Sequence, residues 1–142
     1  MEIGVILCTH SDFAAGLKGA VEMIAGEQKN LKAVCFHNGS SMEDLLETFA
    51  AIDEQFKKEG VPYIFMTDMF AATPCNAALT FAVAHPCCIV CGASLPLLLE
   101  ILLSAQNLDP KNREVPEEFL DLCVKNANNN VKVLDSKKLF AE

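Results

Sequence analysis

The feature that most constrains the fold of this chain is a regular alternation of short apolar runs with longer amphipathic stretches. The apolar runs have the length of β-strands and lie at about residues 3–8, 32–37, 62–67 and 87–92. Each is followed by a stretch with helical periodicity, at about residues 12–25, 41–58, 73–84 and 95–107. Strands and helices that alternate with short connections predict an α/β fold, a doubly wound, mostly parallel sheet with helices on both faces. The chain of 142 residues has the length of one typical domain, and we expect its core in about residues 1–107.

Residues suited to capping mark the ends of the predicted helices. Ser11 or Asp12 is the expected cap of the first helix. Ser41 opens the second helix, with Asp44 three residues later, and Gly60 ends it. Thr73 is the expected cap of the third helix, which has a proline in its first position. We expect the apolar face of the first helix to contain Phe13, Leu17, Ala20, Val21 and Ile24.

The pattern changes after the fourth helix. Asp109-Pro110 interrupts the chain, and Pro116 opens a further helix that extends to about Asn126. A turn at residues 128–130 precedes a short alternating strand, Val131 to Leu134. The C-terminal helix and strand thus occupy about residues 116–135. We expect the strand at a sheet edge, where an antiparallel partner or a second subunit remain open alternatives.

Charge and hydropathy exclude several classes of function. A formal net charge of −8 argues against nucleic-acid binding, which needs a basic face. No uncharged apolar run is long enough for a transmembrane helix. The N-terminus enters a strand without the basic and apolar regions of a signal peptide. We therefore expect a cytoplasmic protein, whose acidic surface is free to meet a basic protein partner.

The seven cysteines are expected to be reduced, mostly buried thiols. Cys88 and Cys91 have a spacing found in redox and zinc sites. In a buried strand, however, these two side chains would point to opposite faces. No second close pair completes a zinc site, so we expect neither a metal nor another cofactor.

One histidine stands where an apolar strand should stop and a helix should begin. His10 follows the first strand, and Asp68 follows the third. If these strands are neighbours, the two side chains meet in the crevice at a topological switch point of the sheet. A carboxylate on one ring nitrogen fixes the tautomer and leaves the other nitrogen as a nucleophile. Because helix N-termini favour anions, this constellation suggests phosphoryl chemistry on the ring.

Each of these residues also has a purely structural interpretation. His10 is equally suited to capping a helix, and Asp68 to closing its own loop as an Asx turn. Phe70 either packs on that loop or offers an exposed aromatic ring to a partner. His37, which follows the second strand, and His85, which precedes a proline, are expected to be ordinary loop residues.

Four sequence blocks carry a resemblance to a known family. They begin at Gly4-Val5-Ile6-Leu7-Cys8-Thr9-His10-Ser11 and continue through residues 23–28 and 67–78 to residues 91–100. In these blocks the chain resembles the enzyme IIA component of the mannose family of the bacterial phosphoenolpyruvate-dependent sugar phosphotransferase system. The resemblance covers about residues 1–105 and implies that residues 1–142 form a single IIA-like phosphotransfer domain.

The resemblance implies a phosphoryl carrier with a phosphohistidine intermediate. His10 would accept a phosphoryl group from the phosphocarrier protein HPr and pass it to a IIB component, which serves membrane IIC and IID proteins during sugar uptake. Asp68 would hydrogen-bond the histidine, and Thr73, with Ser11 and Ala72, would bind the phosphoryl group. The resemblance also implies a homodimer that exchanges its C-terminal strands, here residues 131–134. No IIB-like segment is present, which implies a separate IIB partner unless this is an excised domain.

The chain departs from the family pattern in the loop after the third strand. Two glycines are usual where this chain has Ala71 and Ala72. If those glycines adopt positive φ, alanine is costly there and the loop shape differs. Two other functions remain alternatives: the phosphotransfer subunit of a dihydroxyacetone kinase, which shares the His10-Ser11 and Asp68-Met69 pairs, and a regulatory or ligand-binding domain of the same fold.

Overall fold

The computed structural model describes residues 1–140 and contains a four-stranded parallel sheet. The strands are β1 (Gly4–His10), β2 (Leu31–Phe36), β3 (Tyr63–Thr67) and β4 (Ile89–Cys91). The helices are α1 (Phe13–Ala25), α2 (Met42–Glu59), α3 (Thr73–Ala82), α4 (Leu95–Ser104), α5 (Glu117–Asn128) and α6 (Ser136–Leu139). A single 3₁₀ turn, Ala105–Asn107, extends α4. The α/β fold predicted from the sequence is confirmed.

The order of the strands creates a switch point beside β1. The order across the sheet is β2-β1-β3-β4, and Val5 pairs in register with both Leu31 of β2 and Ile64 of β3. The chain therefore leaves β1 toward one edge and later crosses to its other side. The connections after β1 and β3 diverge at this point, and they leave a crevice at the carboxyl ends of the two strands.

Alternate residues of the strands supply two hydrophobic cores, one on each face of the sheet. Val5 and Leu7 pack with α1, α4 and α5, whereas Ile6 and Cys8 pack with α2 and α3. This division follows from the period of two along a strand, which sends neighbouring side chains to opposite faces. Helices cover both faces, as the alternation in the sequence predicts.

Helix α2 has the ends that its sequence predicts. The Ser41 hydroxyl accepts a hydrogen bond from the Asp44 N–H at 3.1 Å, and the Asp44 carboxylate accepts one from the Ser41 N–H at 2.9 Å. Gly60 then ends the helix in the left-handed conformation, with φ of 67°. Among residues 1–140, every helix is too short or too polar to cross a bilayer.

Helix α1 differs from its prediction in the face that it buries. Ala14, Leu17 and Val21 face the core, whereas Phe13 and Ile24 are exposed. The prediction for these last two residues was wrong because the buried face of α1 is narrower than its apolar stripe.

Two predicted strands are shorter or differently placed. Strand β4 contains three residues where six were expected. Within residues 1–140, the predicted C-terminal strand, Val131 to Leu134, pairs with no other strand, and its side chains are exposed. A sheet edge strand within this chain was therefore an incorrect prediction for this segment, and the alternative of pairing with a second subunit stays a prediction.

Candidate functional site

The structure brings His10 and Asp68 into direct contact at the switch point. Asp68 Oδ2 accepts a hydrogen bond from the His10 backbone N–H at 2.9 Å and lies 2.8 Å from His10 Nδ1. His10 is the last residue of β1, and Asp68 directly follows β3. These two neighbouring strands therefore present the pair as the sequence predicts.

The Asp68 carboxylate is held in its ionised form. Only 16% of its side chain is exposed, and burial alone would raise its pKa. Hydrogen bonds from the His10 backbone and ring, together with the N–H of Met69, outweigh that effect and lower the pKa of Asp68 below its ordinary value. An ionised carboxylate only accepts hydrogen bonds, so His10 Nδ1 must carry the proton that it donates.

In the neutral imidazole, the other ring nitrogen of His10 is then left with a free lone pair. The His10 side chain is 48% exposed, and Nε2 has no hydrogen bond to any residue in the described part of the chain. The Phe36 ring stands edge-on to the imidazole, with centroids 6.1 Å apart and planes at 77°. Phe36 ends β2, and its contact with the ring is a feature that the sequence analysis missed. The arrangement presents an accessible nucleophile in a fixed orientation.

Thr9 performs the capping that the sequence assigned to its neighbours. Asp12 occupies the N-cap position of α1, but its side chain makes no capping hydrogen bond. Instead the buried Thr9 hydroxyl accepts the Ala14 N–H at 2.7 Å. Ser11 adopts a positive φ of 52° and donates its N–H to Phe36 O at 2.8 Å. The tight turn fixes His10 between a buried strand and the start of α1.

The loop after β3 contains a strained alanine. Ala71 has a φ of 64°, whereas Ala72 has an ordinary φ of −87°. The side-chain amide of Asn76 donates to Ala71 O at 3.1 Å and ties this backbone to α3. Phe70, at the tip, is 76% exposed, so it does not pack on the loop.

Helix α3 begins one residue earlier than its predicted cap implies. Thr73 is the first helical residue, Ala72 is the N-cap, and no side chain caps the helix. The first-turn N–H groups of Thr73 and Cys75 therefore lack intrahelical acceptors, and Pro74 has none to satisfy. The N–H of Ala72 donates to Met69 O at 3.4 Å. Ser11 lies in the turn that follows His10, Phe70 and Ala72 lie in the loop that follows Asp68, and Thr73 begins α3.

The Cys8 thiol, in the strand that carries His10, is a poor nucleophile. Burial, and then the charges of Asp68 and Cys35, raises the pKa of the Cys8 thiol to about 12. Cys91 Sγ lies 3.6 Å from Cys75 Sγ, whereas the Cys88 thiol contacts Val115 O at 3.9 Å. Cys88 and Cys91 therefore point apart, as the strand prediction requires, and do not form a dithiol pair.

The other two histidines have contact partners other than His10. His37 Nε2 is 3.5 Å from Asp12 Oδ1 in the loop after β2. His85 stacks on Phe81, with ring centroids 4.2 Å apart. It lines a cavity of about 720 Å³ near the amino-terminal ends of β3 and β4. That cavity lies at the opposite end of the strands from His10.

Comparison with known proteins places this site in a family context. The model of the EIIA-man family, described as PTS system fructose IIA component, matches residues 4–120. The fructose-specific EIIA component of Bacillus subtilis (strain 168) is 36% identical over 111 residues, which cover 78% of this chain and 75% of that protein. The sorbose-specific EIIA component of Lacticaseibacillus casei is 30% identical over 121 residues, which cover 81% of this chain and 86% of that protein. In fold, the chain is similar to the crystal structure of the phosphotransferase system component EIIA from Streptococcus agalactiae, with a TM-score of 0.78. The two chains are 22% identical, and the match covers 96% of this chain and 98% of that one.

Proposed function

The chain belongs to the EIIA-man family, the mannose-type IIA proteins of the sugar phosphotransferase system, and from that membership we propose that His10 is its phosphoryl-carrying residue. His10 Nε2 attacks the phosphorus atom of a phosphorylated donor. A P–N bond forms as the bond from phosphorus to the donor breaks, and the phosphoryl group later leaves for an acceptor. The observation that carries this proposal is the contact of 2.8 Å between His10 Nδ1 and Asp68, which leaves Nε2 free.

Asp68 positions the ring and stabilises its charged form. Phosphorylation of Nε2 makes the imidazole cationic, and the adjacent carboxylate offsets that charge. Because Asp68 also accepts the backbone N–H of His10, it holds β1 and its own loop in a fixed relation. The carboxylate therefore acts on both the orientation and the charge of the ring.

The start of α3 is the proposed cradle for the phosphoryl oxygens. Unsatisfied N–H groups and the helix dipole favour an anion there. The Thr73 hydroxyl, at the first residue of α3, and the Ser11 hydroxyl, in the turn after β1, are additional donors. Ala72 contributes the backbone at the N-cap, not a side chain.

The proposed partners are those of a phosphotransferase relay. HPr is the donor and a IIB component is the acceptor, which connects the chain indirectly to membrane IIC and IID proteins. The exposed Phe70 ring, two residues after Asp68 in the chain, is a suitable contact for either protein. All seven cysteines are free thiols, as expected of a protein located in the reducing cytoplasm.

The exposed Val131–Leu134 segment supports a homodimer in which this segment pairs with the partner subunit.

The proposal is tested by intact-mass spectrometry after incubation with phosphoenolpyruvate, enzyme I and HPr. The wild type should gain one acid-labile phosphoryl group, and His10→Ala should gain none. His37→Ala and His85→Ala, which remove the other two histidines, should match the wild type. Asp68→Asn should keep the fold but accept the group about 10²–10³ times more slowly, the range for the loss of one preorganised electrostatic contact.

Two outcomes would count against the assignment. Full phosphorylation of His10→Ala would place the group on another residue. A folded wild type that stays unmodified with HPr, but reacts with dihydroxyacetone kinase partners, would favour the dihydroxyacetone branch.

A further inference from the structure

Three side chains with metal-binding atoms converge on the α1 face of the sheet, next to the β1–β2 pair. They are Asp12, Cys35 and His37, and their ligand atoms all lie within 4.8 Å of one another. The closest pair is His37 Nε2 and Asp12 Oδ1, at 3.5 Å. We propose that these residues form a binding site for a divalent transition metal ion, with Zn²⁺ the best match.

The three donors come from separate parts of the chain that the sheet brings together. Cys35 lies in β2 and pairs in register with Thr9 of β1. His37 follows two residues later, and residues two apart along an extended chain point to the same side of the sheet. Asp12 lies in the turn between β1 and α1, at the N-cap of α1. Strand β2, the loop that follows it and the turn into α1 therefore contribute one donor each.

The donor set matches the preferences of zinc. Thiolate sulfur, imidazole nitrogen and carboxylate oxygen are its three usual protein ligands, with bonds of about 2.0–2.3 Å. A tetrahedral ion with such bonds holds its donors about 3.3–3.7 Å apart. The side chains of Asp12 and His37 are 85% and 53% exposed, so each is free to rotate by the small amount that closure requires.

The charges of the three groups suit a dication. On binding, the Cys35 thiol gives its proton to solvent and becomes a thiolate. That thiolate and the Asp12 carboxylate together neutralise the two charges of the ion, and His37 binds as the neutral imidazole. Three protein ligands leave a fourth position for water or another small ligand.

The site is separate from the phosphoryl-carrying histidine. Cys35 packs against the core on the α1 face. Phe36, whose ring contacts His10, packs against the core on the α2 face. The His10 ring is held by Asp68 and contributes no donor to the cluster.

Titration of the full-length, reduced protein with Co²⁺ tests the site, because a cysteine ligand produces a thiolate-to-cobalt charge-transfer band. One Co²⁺ per chain should bind with that band, and Zn²⁺ should displace it. Cys35→Ser should abolish the band, and both Cys35→Ser and His37→Gln should weaken Zn²⁺ binding more than about 100-fold, beyond the effect of losing an outer-shell partner. Cys88→Ser, His85→Gln and His10→Ala are matched controls that should bind as the wild type does.

The proposal fails under either of two results. A folded wild type that binds no Co²⁺ at micromolar concentration would reduce the cluster to an ordinary ion pair beside a thiol. Unchanged binding in Cys35→Ser and His37→Gln, or binding lost in His10→Ala, would place the ion elsewhere. Circular dichroism and thermal unfolding of each variant separate loss of a ligand from loss of the fold.

Discussion

At the scale of single residues, the site depends on one carboxylate with three donors. Asp68 accepts the His10 backbone N–H, the His10 ring N–H and the Met69 N–H. The first contact fixes the end of β1, the second fixes the orientation of the imidazole ring, and the third fixes the loop after β3. Because the carboxylate pKa is lowered, Asp68 remains ionised at neutral pH and keeps the ring in one tautomer.

The loop after β3, which follows Asp68, contains backbone strain at Ala71 that can be tested. Ala71 adopts a φ of 64°, a conformation that costs an L-residue about 1–2 kcal/mol. Glycine relieves this cost but gains more freedom in the unfolded chain, so Ala71→Gly should change the free energy of unfolding by up to about 1 kcal/mol in the stabilising direction. Denaturant unfolding measures the change.

Ala72→Gly is the matched control for that substitution. Its φ of −87° is ordinary, so glycine relieves no backbone strain there. The unfolded-state entropy cost of about 0.4–1 kcal/mol is offset by the preference of an N-cap position for glycine over alanine, so stability should stay nearly unchanged. Equal destabilisation by both variants would show that Ala71 is not strained.

Sequence reasoning reaches the central pair but not the details around it. His10 and Asp68 are predictable partners because each follows a strand, and neighbouring parallel strands end at the same edge. The role of Thr9 is not predictable, since Ser11 and Asp12 are equally good capping residues one turn closer to the helix. The left-handed backbone of Ala71 is suggested only by the family's glycines, because alanine itself disfavours it.

At the scale of elements, local sequence determines the ends of α2 better than the face of α1. A capping box and a C-terminal glycine act through neighbouring residues, so they are visible in the sequence. Which apolar residues of α1 become buried depends on the distance to α4 and to the sheet. Phe13 and Ile24 are exposed for that tertiary reason.

Close packing of α2 against β1 leads to a second stability prediction. A Cβ placed on Gly4 would lie 2.5 Å from Phe56 Cζ, and that ring is fully buried and stacked on Tyr63. Gly4→Ala should therefore destabilise the protein by about 1–3 kcal/mol, the usual cost of overpacking. Urea unfolding gives the value.

Gly16→Ala provides the control for the same chemical change. Gly16 is exposed within α1, and an added Cβ meets nothing within 4 Å. Alanine is the better helix former by about 0.8–1 kcal/mol, so this variant should be stabilised. Destabilisation by both variants would argue against the specific clash with Phe56.

At the scale of the whole molecule, the apolar C-terminal segment is the feature that a single chain leaves unexplained. Val131, Val133 and Leu134 are all exposed, and Val133 is 97% exposed. The sequence predicts a strand here because the residues alternate and favour β-structure. A strand needs a neighbour, and its own chain supplies none among the described residues, so local pattern alone misplaced it.

The proposed homodimer gives this segment a neighbour. Wild-type protein should sediment as a dimer at micromolar concentration. Val133→Asp should weaken the dimer at least about tenfold, because a buried valine contributes about 1.5–3 kcal/mol. Ser136→Asp adds the same charge at the start of α6 and should leave the dimer intact. A monomeric wild type, or a Val133→Asp variant that sediments as the wild type does, would contradict this assembly.

The central claim is that Asp68 occupies Nδ1 of His10 and thereby directs the phosphoryl group to Nε2. The most direct test is a long-range proton–nitrogen NMR spectrum of the ¹⁵N-labelled chain after phosphorylation by phosphoenolpyruvate, enzyme I and HPr. The account predicts a single phosphohistidine, with the phosphoryl group on Nε2 of His10 and a proton retained on Nδ1. A phosphoryl group on Nδ1, or on another histidine, would contradict it.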